Sequence, residues 1–123
     1  MSKTILLVED EADIREAMSE AIADAGFTVL TAENGKAGLE TALEKHPDLI
    51  LLDIVMPIMD GHEMLEHLRQ DAWGKKVKVI MLTAMDDVQN IAGAHEGSIT
   101  DYLIKAHSSL EDIVAKVKLE ALV

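Results

Sequence analysis

Five short aliphatic runs alternate along this chain with segments of helical spacing, and that alternation leaves few folds open. Thr4–Val8, Leu49–Leu52, Val77–Leu82 and Tyr102–Ile104 read as buried strands, with a weaker fifth candidate at Thr28–Ala32. Between the first two candidates in chain order, Ile14, Ala17, Met18, Ala21, Ile22 and Ala25 recur at helical intervals, and Gly26 follows as a stop signal. The last segment carries Leu110, Ile113, Val114, Val117 and Ala121 on one face, with Ser108 to Glu111 as a candidate capping box. Weaker helical patterns cover Lys36–Lys45, Gly61–Arg69 and Val88–His95. Asn34-Gly35 suits a hairpin turn in isolation, but the helical segment after it favours helix entry. Strands apolar on both faces, alternating with helices, imply an α/β fold with a parallel sheet covered on both sides, here (βα)5.

At 123 residues the chain suits one domain. Apolar residues make up 49% of it and aromatics 2%, so the core must be aliphatic. Eleven basic against 23 acidic residues leave a net charge of -12, which repels phosphate backbones and anionic lipid, so neither nucleic acid nor a membrane is an expected direct partner. The aliphatic runs fall far short of the roughly 18 residues of a membrane span. The chain has no cysteine, which fits a reducing cytoplasm.

In open parallel sheets, ligands bind beyond the carboxyl ends of the strands. Glu9 and Asp10 follow the first run, Asp53 the third, Thr83 the fourth and Lys105 the fifth. Taken singly, each has an ordinary structural reading as a helix cap, a strand end or a solvated lysine. Together they aim three carboxylates, a hydroxyl and an ammonium at one sheet edge. Two carboxylates about 5 Å apart repel by roughly 3 kcal/mol at an effective dielectric near 20, so the trio calls for a cation or a raised pKa. Oxygen-only ligands with room for water suit Mg2+. A carboxylate is also a competent nucleophile toward a phosphoryl group, and Asp53 is the best placed of the three.

The stretches Ile5-Leu6-Leu7-Val8-Glu9-Asp10-Glu11, Asp53-Ile54-Val55-Met56-Pro57-Ile58-Met59-Asp60-Gly61, Thr83-Ala84 and Asp101-Tyr102-Leu103-Ile104-Lys105 resemble response-regulator receiver domains of two-component signalling. The resemblance runs from about Thr4 to Leu122 and implies a flavodoxin-like sheet of order 2-1-3-4-5. It also implies a single receiver domain filling residues 1–123, without an output domain, as monomer or weak dimer. Residue by residue, it implies Asp53 as phosphoacceptor; Glu9, Asp10, Asp53 and the Val55 backbone carbonyl as ligands of Mg2+, with Mn2+ a substitute; and Thr83 and Lys105 as phosphoryl contacts. The implied donor is a sensor histidine kinase or a histidine phosphotransfer protein, and the receiver catalyses its own phosphotransfer and dephosphorylation. Thr83 and Tyr102 are the implied switch pair, altering the surface of the Val88–His95 segment, the last strand and the last helix toward a downstream partner. Val55 and Met85 fall where the family tunes hydrolysis, and both are apolar, which predicts a long-lived phosphorylated form.

Two departures stand out. Ala106 replaces the proline that commonly follows the lysine in a cis peptide bond, and a cis bond before a non-proline costs roughly 3 to 4 kcal/mol, so the reach of Lys105 is left to the tertiary structure. Gly97 to Asp101 also carries one residue more than the commoner pattern before Tyr102. His62 and His67 echo a zinc-protease motif, yet at about 100° per residue a five-residue interval turns them about 140° apart, so no zinc site is expected. His46, His95 and His107 read as surface residues, and Met56, Met59, Met64 and Met81 as packing. Two rival functions are an aspartate-nucleophile phosphatase of the haloacid dehalogenase kind and a receiver-like binding module that needs no phosphate. The first wants Asp-x-Asp after the first strand, where this chain has Glu9-Asp10-Glu11; the second leaves Asp10, Asp53, Thr83 and Lys105 without a purpose.

Overall fold

The computed structural model describes residues 2–83, 99–105 and 108–122. The strands are β1 (Thr4–Val8), β2 (Thr28–Ala32), β3 (Leu49–Asp53), β4 (Lys78–Thr83) and β5 (Asp101–Ile104). Four helices are described: α1 (Ala12–Asp24), α2 (Gly35–Lys45), α3 (Gly61–Gln70) and α4 (Leu110–Ala121). The expected Val88–His95 helix lies outside the described residues, as do Met85, His95, His107 and the Lys105–Ala106 bond. All strand pairs are parallel, and the sheet order is β2-β1-β3-β4-β5, the doubly wound arrangement expected from sequence.

The period of two along each inner strand divides the core into two layers. Leu6, Val8, Ile50, Leu52, Val79 and Met81 pack with Met64, Leu65 and Leu68 of α3 and Ala42 of α2. Their neighbours Ile5, Leu7, Leu49, Leu51, Ile80 and Leu82 face Met18 and Ile22 of α1 and Ile113, Val117 and Ala121 of α4. Met56, Met64 and Met81 are all buried in the first layer, as packing residues rather than a partner surface. Because most of these side chains are branched aliphatics held at full burial, truncating one such as Leu52 would cost about 2 to 5 kcal/mol.

Local signals set the helix ends. The Asn34 side chain accepts from the Ala37 N–H at 2.8 Å, so Asn34-Gly35 does open a helix. Gly26 takes φ +102° directly after α1, a conformation that suits glycine at a helix exit. The capping box of α4 is one residue later than the sequence pattern suggested. Ser109 accepts from the Asp112 N–H at 3.1 Å and Asp112 accepts from the Ser109 N–H at 3.0 Å. Ser108 is unavailable because its hydroxyl donates to the Ile104 carbonyl at 2.8 Å. Thr100 joins the sheet ahead of β5, donating its N–H to Val79 and accepting the Val79 N–H through its hydroxyl. No helix among the described residues is long and apolar enough to cross a membrane.

Candidate functional site

The strand register brings the polar residues together. Val8 pairs with Leu52, so Glu9 and Asp53 emerge side by side; Thr83 pairs with Ile104, so Lys105 leaves the sheet one step beyond Thr83. Glu9 is fully buried, Thr83 is 1% exposed and Asp53 is 6% exposed, whereas Asp10 lies partly open to solvent. One carboxylate oxygen from each of Glu9, Asp10 and Asp53 lies within 4.8 Å of the others, the only such acid or histidine cluster among the described residues. His62 and His67 are not part of any such group, and exposed His46 stacks on Trp73 with ring centroids 4.3 Å apart.

Lys105 reaches into this cluster. Its Nζ donates to Glu9 Oε2 at 3.1 Å and to Asp53 Oδ2 at 3.3 Å. The expected uncertainty over its reach is thereby resolved for the side chain itself. Burial pulls the Lys105 ammonium down, but Asp53 and Glu9 outweigh that pull and leave its pKa above the usual value. Asp53 moves the other way. Burial, reinforced by the charge of Glu9 and opposed by Lys105, raises its pKa from 3.8 to about 7. One lysine therefore does not compensate two buried carboxylates, and a further cation would be stabilised here. The donor set is all oxygen and anionic, which fits a hard divalent ion such as Mg2+ and gives softer metals no preferred ligand.

The loop after β3 is shaped by close backbone contacts. Asp53 Oδ1 accepts from the Ile54 N–H at 2.8 Å, which fixes the carboxylate plane. The Gly61 N–H donates to the Ile54 carbonyl at 2.8 Å, and a Cβ at Gly61 would stand 2.3 Å from the Asp53 carbonyl oxygen, so only glycine fits beside the strand end. From the β2–α2 turn, the Gly35 N–H donates to the Met59 carbonyl at 2.9 Å. The loop turns through Ile58 at φ +71° and presents Val55 and Ile58 to solvent, 74% and 75% exposed. Tyr102, on β5, is 37% exposed.

One contact was not anticipated from sequence. Arg15 Nη1 donates to the Glu9 carbonyl at 2.8 Å and to the Asp10 carbonyl at 3.4 Å. The available signal was a cation in the first turn of α1, where the helix dipole disfavours positive charge.

The family model of the response regulator receiver domain matches residues 5–118. This chain belongs to the response regulator receiver family. The receiver is 38% identical over 118 residues to the phosphate regulon transcriptional regulatory protein PhoB of Pseudomonas aeruginosa, a match covering 96% of this chain and 51% of that protein. It is 35% identical over 118 residues to PhoB of Escherichia coli K12, with the same coverage of 96% and 51%. The receiver thus spans about half the length of the curated relatives it matches. Among solved structures, the chemotaxis response regulator CheY4 of Vibrio cholerae superposes with a TM-score of 0.87 at 27% identity, covering 97% of this chain and 98% of that one. The receiver domain of a Pseudomonas aeruginosa PAO1 sensor histidine kinase superposes with a TM-score of 0.87 at 25% identity over 100% of both chains, and that structure has a magnesium ion coordinated in its active-site cleft.

Proposed function

We propose that this receiver accepts a phosphoryl group on Asp53 from the phosphohistidine of a sensor histidine kinase or histidine phosphotransfer protein, and so controls a partner. The observation that carries the reading is the trio Glu9, Asp10 and Asp53 within 4.8 Å, with Lys105 3.3 Å from the acceptor carboxylate. In the transfer, an Asp53 carboxylate oxygen forms a bond to phosphorus while the phosphorus–nitrogen bond to the donor imidazole breaks. The imidazole leaves with the electron pair and takes up a proton. Glu9, Asp10, Asp53 and the Val55 carbonyl would hold Mg2+, or Mn2+ in its place. The bound ion would supply positive charge against the transferring oxygens and keep Asp53 ionised near neutral pH. Lys105 adds a fixed ammonium beside the same oxygens, and Thr83, at the end of β4, offers a hydroxyl. The receiver is then a signalling module that catalyses only its own phosphorylation and dephosphorylation.

In this reading Thr83 and Tyr102 couple the acceptor to the surface that carries β5 and α4, where the downstream partner binds; Tyr102 is partly exposed. The net charge of -12 and the absence of cysteine support a cytoplasmic setting without direct contact to nucleic acid or membrane. Val55 and Met85 offer no hydrogen bond to an attacking water, which supports slow hydrolysis.

The test is incubation with acetyl phosphate or phosphoramidate and Mg2+, read by intact mass. One added phosphoryl group that persists for minutes or longer, and is absent from Asp53→Asn, is the expected outcome. No adduct with any donor would refute the acceptor role, and decay within seconds would refute the assignment of Val55 and Met85.

A further inference from the structure

The turn that presents Glu9 and Asp10 is held from both sides. Toward β2, the Glu9 N–H donates to the Ala32 carbonyl at 3.0 Å, completing the strand ladder. The Glu9 and Asp10 carbonyls point instead toward α1, where one guanidinium nitrogen of Arg15 meets both, at 2.8 and 3.4 Å. Arg15 is the fourth residue of α1, its own N–H donating to the Glu11 carbonyl at 2.9 Å, so its backbone is fixed by the first helical turn. A cation at that place works against the helix dipole, and its side chain folds back over the turn rather than reaching an acid partner of its own helix. The position therefore carries an electrostatic cost that the two carbonyl contacts offset.

We infer that Arg15 is a positioning residue for the divalent-cation site: by clamping the two carbonyls, it fixes the backbone from which Glu9 and Asp10 aim their carboxylates at Asp53. This inference rests on the metal-assisted acceptor site proposed above. It makes a prediction opposite in sign to plain electrostatics. A positive charge near an acidic cluster repels an incoming dication, so removing Arg15 by charge alone would tighten Mg2+ binding. If the clamp matters more, removal loosens the ligand set and weakens binding by about tenfold or more, the usual effect of deleting a residue that orients metal ligands. Because a single nitrogen makes both contacts, a lysine can replace it, whereas a methionine of similar length cannot.

The experiment is calorimetric titration of Mg2+ into the full chain at fixed ionic strength, for the wild type, Arg15→Met and Arg15→Lys. Amide chemical shifts of Glu9, Asp10 and Glu11 report the geometry of the turn without metal. The expected result is Mg2+ affinity at least about tenfold weaker in Arg15→Met, displaced shifts confined to the turn, and recovery of most of the affinity in Arg15→Lys. Affinity equal to or tighter than wild type in Arg15→Met, or Arg15→Lys as weak as Arg15→Met, overturns the inference and leaves the acceptor site intact. A wild-type chain that binds no Mg2+ overturns the metal site and the role of Arg15 together.

Discussion

Replacing Asp53 by asparagine tests whether the acceptor carboxylate is held at an energetic cost. Burial and Glu9 raise its pKa from 3.8 to about 7 despite Lys105, so the folded chain binds a proton there more tightly than the unfolded chain does. Stability from this group is therefore greatest below the unfolded pKa, falls as pH rises from 3.8 to about 7, and levels off above that window. At about 1.36 kcal/mol per pH unit, the interval from pH 5.5 to 7 corresponds to roughly 2 kcal/mol. Asp53→Asn carries no charge to titrate and keeps an oxygen for the Ile54 N–H, but its amide nitrogen turns a donor toward Lys105, where the carboxylate made a 3.3 Å ion pair. The absolute gain is thus smaller than the cost removed, while its pH dependence survives. Urea unfolding in EDTA, followed by the fluorescence of Trp73, measures both proteins at pH 5.5 and pH 8. The advantage of Asp53→Asn should grow by roughly 2 kcal/mol between the two, on the order of 8 °C in melting temperature. Titrations of groups remote from Asp53 are common to both proteins and cancel in the difference, so the comparison reads Asp53 together with the Glu9 and Lys105 charges coupled to it. An advantage that stays flat or shrinks as pH rises would refute the account of a buried carboxylate incompletely neutralised by Lys105.

Mg2+ at millimolar concentration should raise the melting temperature of the wild type, and Asp10→Asn should stabilise the metal-free chain while abolishing most of that response; destabilisation in EDTA would mark Asp10 as a structural cap instead. Gly61→Ala drives a methyl group to 2.3 Å from the Asp53 carbonyl, so calorimetric melting should show a loss of about 2 kcal/mol or more, together with slower acceptor phosphorylation. Unchanged melting would show that the loop yields freely. Ser109→Ala should cost about 1 kcal/mol in urea unfolding as α4 loses its cap; unchanged stability in Ser109→Ala would show that the cap assignment is wrong.

Local sequence determined a great deal about this receiver. The bounds of β1 and β2 coincide with their aliphatic runs, and the other strands differ by a residue or so at an end. Helical spacing located α1 and α4, because burial on one face leaves a period visible within a few residues. The direction of a parallel sheet then sent Glu9, Asp10, Asp53, Thr83 and Lys105 to one edge, so which residues share that edge was legible before their geometry. What depended on tertiary structure joins residues far apart in the chain. Lys105 meets Glu9 across 96 positions and Asp53 across 52, and no local pattern encodes those 3.1 and 3.3 Å contacts. The raised pKa of Asp53 depends on burial by the surrounding layers, and the requirement for glycine at position 61 on the path of a neighbouring strand end. The start of α4 turned on a nearer choice that the pattern alone leaves open: Ser108 and Ser109 offer similar capping patterns, and the Ile104 carbonyl at the end of β5 claims the first. Periodicity is a property of short segments, whereas charge balance and hydrogen-bond assignment are set by whatever the fold brings within a few ångströms.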